Sequence, residues 1–169
     1  MIQPPKIKYN VKPLNGNFVI STNDLPAGSF PTEAESITGK FVAVSIKHDE
    51  GTPKQPGKFG VEPYDALIVT LCDEPNNTYY YIKSNIKIVF SQNLVANLKN
   101  VSKNDEIKIK VKPGTTTPNV TLVNVFVKNE QAEWKSISFE NFNKDIDAVK
   151  KAVVEHNAYH ITKEKEAAS

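Results

Sequence analysis

Alternation of apolar and polar residues dominates the middle of the chain, and one helical stretch interrupts it. From Ile37 onward, Gly39–His48 places Val42, Val44 and Ile46 on one face, with Phe41, Ala43, Ser45 and Lys47 on the other. Tyr64–Cys72 presents Leu67, Val69 and Leu71 together. Thr78–Lys83 sets Tyr79, Tyr81 and Lys83 against Tyr80 and Ile82, and Ile86–Phe90 extends that strand or forms a short one of its own. Ser91 then reads as a helix N-cap, followed at helical spacing by Leu94, Val95, Leu98 and Val101. Alternation returns in Glu106–Lys112, where Ile107, Ile109 and Val111 oppose Lys108, Lys110 and Lys112. It continues in Asn119–Lys128, where Val123, Val125 and Val127 oppose Leu122, Asn124, Phe126 and Lys128. A last β-like piece surrounds Trp134–Phe139.

The flanks and connections differ in character. Residues 1–36 form a proline-rich arm with one hairpin, in which Asn15-Gly16 joins Ile7–Leu14 to Asn17–Ser21. A long Gly/Pro connection, Asp49–Pro63, carries Lys54, Lys58 and Phe59. Asp73–Asn77 and Pro113–Pro118 have the composition of turns. Asn143 to about Lys163 reads as a helix with Ile146, Val149, Val153, His156 and His160 on one stripe. The expected divisions are an N-terminal arm or hairpin at 1–36, a β-barrel at 37–140, and a C-terminal helix and tail at 141–169.

Five strands with a short helix between the third and fourth close most readily into a small barrel, because closure removes exposed edges. An immunoglobulin-like sandwich would need about seven strands and no such helix. The expected fold is therefore mainly β: a five-stranded barrel of the oligonucleotide/oligosaccharide-binding (OB) type, with the helix plugging one end, plus the N-terminal arm and C-terminal helix. Three stretches carry a family likeness: Gly39–Val44 as first strand, Leu94–Val101 as helix, and Lys103-Asn104-Asp105-Glu106-Ile107-Lys108-Ile109 as the way into the fourth strand. In these, Thr38–Lys128 resembles the OB-fold single-stranded DNA-binding proteins of replication, particularly those of bacteriophages. Asn104 stands where such proteins commonly have glycine. The end, Lys163–Ser169, is not the acidic, phenylalanine-tipped tail that many bacterial members use to recruit partners. The resemblance implies binding of exposed strands during DNA replication or recombination, and a place in the host cytoplasm.

Composition sharpens this expectation. The 169 residues are 39% apolar and 24% charged, enough for one core. No stretch is long and apolar enough for a membrane helix, and MIQPPKIKYN lacks the apolar run of a secretion signal, so an intracellular, cytoplasmic protein without membrane contact is expected. Cys72 is the single cysteine, which excludes an internal disulfide and a cysteine-only zinc site. His156 and His160 have metal-ligand spacing but lack a third ligand, and packing is their better reading. No catalytic triad, phosphate loop or carboxylate pair stands out, so neither a cofactor nor an enzymatic activity is expected. The net charge is only +2, and all 21 basic residues are lysine. Lysine holds phosphates as a point charge, whereas arginine is the usual reader of guanine edges. A nucleic-acid partner would therefore be gripped by its backbone, with little sequence preference.

Single-strand binding needs aromatic faces for bases and cations for phosphates. The expected residues are Phe41, Lys47, Tyr79, Tyr81, Lys83, Lys108, Lys110, Phe126 and Lys128 on the strands, and Lys54, Lys58 and Phe59 in the long connection. Tyr79 and Tyr81 lead, since alternation forces them onto one face. The expected partner is single-stranded DNA, with RNA as the other strand chemistry. The C-terminal helix stripe could meet a second copy or replication proteins. The competing reading is a non-enzymatic β-barrel structural or interaction module, a virion component or replication adaptor, with the same aromatics packed against a protein.

Overall fold

The computed structural model describes residues 7–21, 32–57, 60–98, 101–116, 118, 120–136, 147 and 150–155. They form one curled, nine-stranded sheet with few helices. In chain order the elements are β1 (Ile7–Leu14), β2 (Asn17–Ser21), β3 (Thr32–Ala34), β4 (Ser36–Asp49), β5 (Tyr64–Asp73), β6 (Thr78–Asn85), α1 (Val89–Leu98), β7 (Glu106–Pro113), β8 (Thr121–Lys128) and β9 (Trp134–Ser136). A 3₁₀ turn at Glu74–Asn76 joins β5 to β6, closed by Asn77 in the left-handed region. The spatial order is β3-β2-β1-β6-β5-β4-β7-β8-β9.

Within that order, β6-β5-β4-β7-β8 are the five strands legible from alternation, with α1 between β6 and β7, the third and fourth of them along the chain. A sheet of nine strands replaces the expected five, because the arm adds β1, β2 and β3 at one side and β9 joins at the other. β6 takes β1 as a parallel neighbour, with Lys8 opposite Tyr79 and Asn10 opposite Tyr81. β6 does not pair with β8 among the described residues. Helix α1 packs mainly on β8 and also touches β6. Eight of its ten residues are buried, as expected of a helix enclosed on nearly every side. Phe18 of β2 meets Phe90 of α1 edge to face, ring centroids 5.9 Å apart.

The hairpin turn is built as its sequence dictates. Asn15 and Gly16 both have positive φ (50° and 88°), the geometry that matches strand twist in a two-residue hairpin. Its tip reaches across to the start of β8, where the Gly16 amide donates to Thr121 Oγ1 at 2.9 Å. A Cβ on Gly16 would lie 2.3 Å from the Pro113 nitrogen, so this approach requires glycine. The core beneath includes Leu67, Leu71, Ile82, Leu94, Ile107 and Ile109, all fully buried. Ala152 and Val153, from the helical residues 150–155, join the same core. The rest of the expected C-terminal stripe, Ile146, Val149, His156 and His160, lies outside the described residues. No described helix is long and apolar enough to cross a membrane.

Three local expectations are corrected. Ser91 is not an N-cap: the helix begins at Val89, and Ser91 is buried within it, its hydroxyl donating to the Asn85 carbonyl at 2.6 Å. Ile86–Phe90 is therefore turn and first helical turn rather than strand. Phe41 is not on the outer face. A β-bulge between Phe41 and Ala43 shifts the register by one residue, so Phe41 points inward with Val44, at 1% exposure. The Phe41 amide donates to the Asp105 carbonyl at 2.9 Å and its carbonyl accepts from Asn104 at 2.8 Å. Asn104 has φ 73°, so it supplies the left-handed geometry for which glycine is the commoner choice.

Candidate nucleic-acid interface

Regular pairing across β6 settles which tyrosines face out. Thr78, Ile82 and Ser84 are buried, and Tyr80 packs against the core, stacked on Tyr9 with centroids 5.5 Å apart. Burial raises the Tyr80 phenol above its ordinary pKa, with Asp73 adding to the shift. Tyr79 and Tyr81 take the opposite face, half-exposed, with centroids 6.5 Å apart and planes within 19°. Two residues of strand rise about 6.6 Å, so this ladder follows directly from the backbone repeat.

β1 supplies the flank. Its parallel register sets Lys8 beside Tyr79 and Asn10 beside Tyr81, and the next outward position is Lys12. Lys8 and Lys12 are exposed, and among the described residues no carboxylate pairs with either. These residues were not singled out from the sequence. Their signal was the alternation Lys8, Asn10, Lys12 within the hairpin, but only the non-local β1–β6 pairing brings it beside the tyrosines.

Lys83 continues the outer face of β6 but is engaged. Its ammonium is hydrogen-bonded to Asp49 Oδ2, and it lies 5.8 Å from the centre of the Tyr64 ring. That hydrogen bond holds Lys83 above its ordinary pKa and Asp49 below the usual carboxylate range. Asp49 also accepts the Gly51 amide at 2.7 Å, so the pair anchors the base of the long connection to β6. Thr52 and Val61 bridge across that connection. Lys54 is exposed within it, whereas Lys58 and Phe59 lie outside the described residues. Lys47 is exposed near the end of β4.

A second aromatic group lies at the other side of the sheet. Lys108 pairs with Phe126, and Lys128 with Trp134, across β7, β8 and β9. The Lys108 and Lys128 ammonium groups stand 4.6 and 5.7 Å from the centre of the Trp134 ring, and Lys128 also approaches Glu106 Oε2 at 3.5 Å. Phe126 is half-buried and Lys110 is exposed on the same face. Trp134 was legible only as part of a strand; its contact with both lysines depends on β9 folding back onto β8. One cross-strand row joins the two groups: Lys8, Tyr79, Cys72, Lys40, Glu106, then Lys128 and Trp134. Lys40 in that row is tied to Glu74 at 2.9 Å, a hydrogen bond that raises its pKa. Among the described residues no group of three or more His, Cys, Asp or Glu could hold a metal ion.

The geometry thus brings Tyr79 and Tyr81 together with Lys8 and Lys12, which have no carboxylate partner among the described residues, moves Phe41 into the core, and ties Lys83, Lys108 and Lys128 to other side chains. No family model matches the chain, and neither a curated protein nor a solved structure does.

Proposed function

We propose that this protein binds single-stranded DNA without reading its sequence, as an OB-type module serving replication or recombination. The observation that carries the reading is the parallel Tyr79–Tyr81 pair on an outer face, flanked by Lys8 and Lys12. Bases can stack on sequence-tolerant aromatic faces while lysines meet the backbone, each stacked base contributing about 1–3 kcal/mol. The strand order β6-β5-β4-β7-β8, with α1 after β6, supports the OB reading. In this chain the edge of β6 is occupied by β1, so the tyrosines lie inside the sheet rather than at its margin.

The test is fluorescence anisotropy of a labelled oligo(dT) strand at two salt concentrations, with duplex of equal length as control. Four to six lysine–phosphate contacts give a slope of log affinity against log salt of roughly −3 to −4 for a single strand. Tight, salt-sensitive binding to oligo(dT) and weaker binding to duplex is the expected result. No binding even at low salt would end this reading and favour the interaction-module alternative, in which the same aromatics pack against a protein.

A further inference from the structure

Beside the tyrosine ladder lies a cleft of about 820 Å³, walled by β1, the end of β6 and the chain approaching β5. That volume is within the range of small-ligand sites, roughly 300–1,000 Å³. Lys12, Lys83 and Lys87 line it against a single carboxylate, Glu62, among the described lining residues. Lys83 is committed to Asp49, which leaves Lys12 and Lys87 as the cations without a described carboxylate partner. The Tyr64 ring and the side chain of Ile88, 40% exposed, give the cleft an apolar surface. Asn85 Oδ1 accepts the Lys87 amide at 3.0 Å, which fixes the side chain and leaves its NH₂ as the group able to donate into the cleft.

The cleft also continues the ladder. Tyr79, Tyr81 and Lys83 succeed one another along the outer face of β6, and Lys8, Asn10 and Lys12 run parallel to them on β1. Asn10, Lys12 and Lys83 line the cleft, so it opens where the ladder ends. We propose that the cleft is a nucleotide subsite: it receives the unit of a single strand that follows those stacked on Tyr79 and Tyr81, with its phosphate between Lys12 and Lys87 and its base against Tyr64 and Ile88. The inference rests on the single-strand reading above.

The experiment compares wild type, Lys12→Ala/Lys87→Ala and Lys12→Arg/Lys87→Arg in the same oligo(dT) salt titration. Both lysines are exposed, so the variants should fold. Loss of two single-strand phosphate contacts makes the slope about 1.4 shallower in the alanine variant, and the arginine variant restores it. Strand binding by wild type with an unchanged slope and affinity in the alanine variant would overturn the subsite and take Lys12 out of the ladder's flank, leaving the single-strand reading to the Tyr79–Tyr81 stack. A slope only about 0.7 shallower would leave one of the two contacts and overturn the phosphate position between both lysines. Absence of binding by wild type would remove the single-strand reading and the subsite with it.

Discussion

The two aromatic groups of the outer face have similar ingredients and opposite states. On the β1–β6 side, two tyrosines stack in parallel, and Lys8 and Lys12 beside them have no described carboxylate partner. On the β7–β9 side, Trp134 draws in both Lys108 and Lys128, and Glu106 takes a further share of Lys128. A cation already held by an indole, at about 0.5–1 kcal/mol for an exposed pair, must leave it before it can meet a phosphate. An aromatic ladder with unengaged cations has no such cost. The count of lysines and rings does not separate these regions; their engagement does. On the proposed reading the tyrosine side is for that reason the better strand platform, and the Trp134 side is largely satisfied within the protein.

The strand β4 connects the two regions, pairing with β7 over Ser36–Lys40 and with β5 from Lys40 onward. Phe41 lies at the bulge where it changes partners. Phe41→Ala is expected to cost about 3–5 kcal/mol of stability by leaving a large buried ring unfilled. Chemical denaturation would measure it, and a loss below about 1 kcal/mol would argue against the inward placement.

The tyrosine side depends further on the hairpin docking. Gly16→Ala forces a side chain against Pro113 in a left-handed backbone position, at an expected cost of about 1–3 kcal/mol. Because the hairpin carries Lys8 and Lys12, this variant should weaken strand binding at temperatures where it remains folded, while the Trp134 environment stays unchanged by fluorescence. Wild-type stability and affinity in Gly16→Ala would mean that the hairpin tip does not dock as described.

Native reporters sharpen the comparison without mutation. Cys72, half-buried, sits opposite Tyr79 in the register, and Trp134 is the chain's single tryptophan. Saturating oligo(dT) should slow alkylation of Cys72 and leave Trp134 emission nearly unchanged. Strong quenching of Trp134 with an unprotected Cys72 would exchange the roles of the two regions.

The smallest expected effect is a pH dependence at the C-terminal end of β4. A hydrogen bond to Asp65 at 3.0 Å raises the His48 pKa, with Glu50 and Asp49 assisting. Lys150 first, and His48 second, lower that of Asp65; Lys150 comes from the C-terminal segment and bonds Asp65 at 2.8 Å. A raised histidine contributes stability that is full below its unfolded pKa of about 6.5 and is lost as pH rises through the folded value. The lowered Asp65 contributes stability present above about pH 3.9 and lost as pH falls through its folded value. His48→Gln should flatten the first change and leave the acid one. A melting-temperature series across pH reads both, and an unaltered neutral-pH slope in His48→Gln would discount the His48 contact.

What could be read in advance follows the range of the interactions. The Asn15-Gly16 hairpin is set by its own turn residues, and its strands have the expected limits. Tyr79 and Tyr81 against Tyr80 follow from strand periodicity alone. Phe41 was misplaced because a bulge leaves no mark in alternating residues. Ser91 resembled a cap because a serine before apolar residues at helical spacing has that appearance, while its hydroxyl is used by Asn85 and Ser84. The Lys83–Asp49 bond and the Lys108–Trp134 contact join residues far apart in sequence. The same holds for Lys8 and Lys12: their value comes from β1 running parallel to β6, which no local pattern encodes.

The most direct measurement is the oligo(dT) affinity of two double variants at one low salt concentration, Tyr79→Ala/Tyr81→Ala and Phe126→Ala/Trp134→Ala. The first pair should weaken binding at least about thirty-fold, from two lost stacks of about 1–3 kcal/mol each, and the second should leave it close to wild type. The opposite ranking, with the tyrosine variant binding normally, would contradict the assignment of the strand to the β1–β6 face.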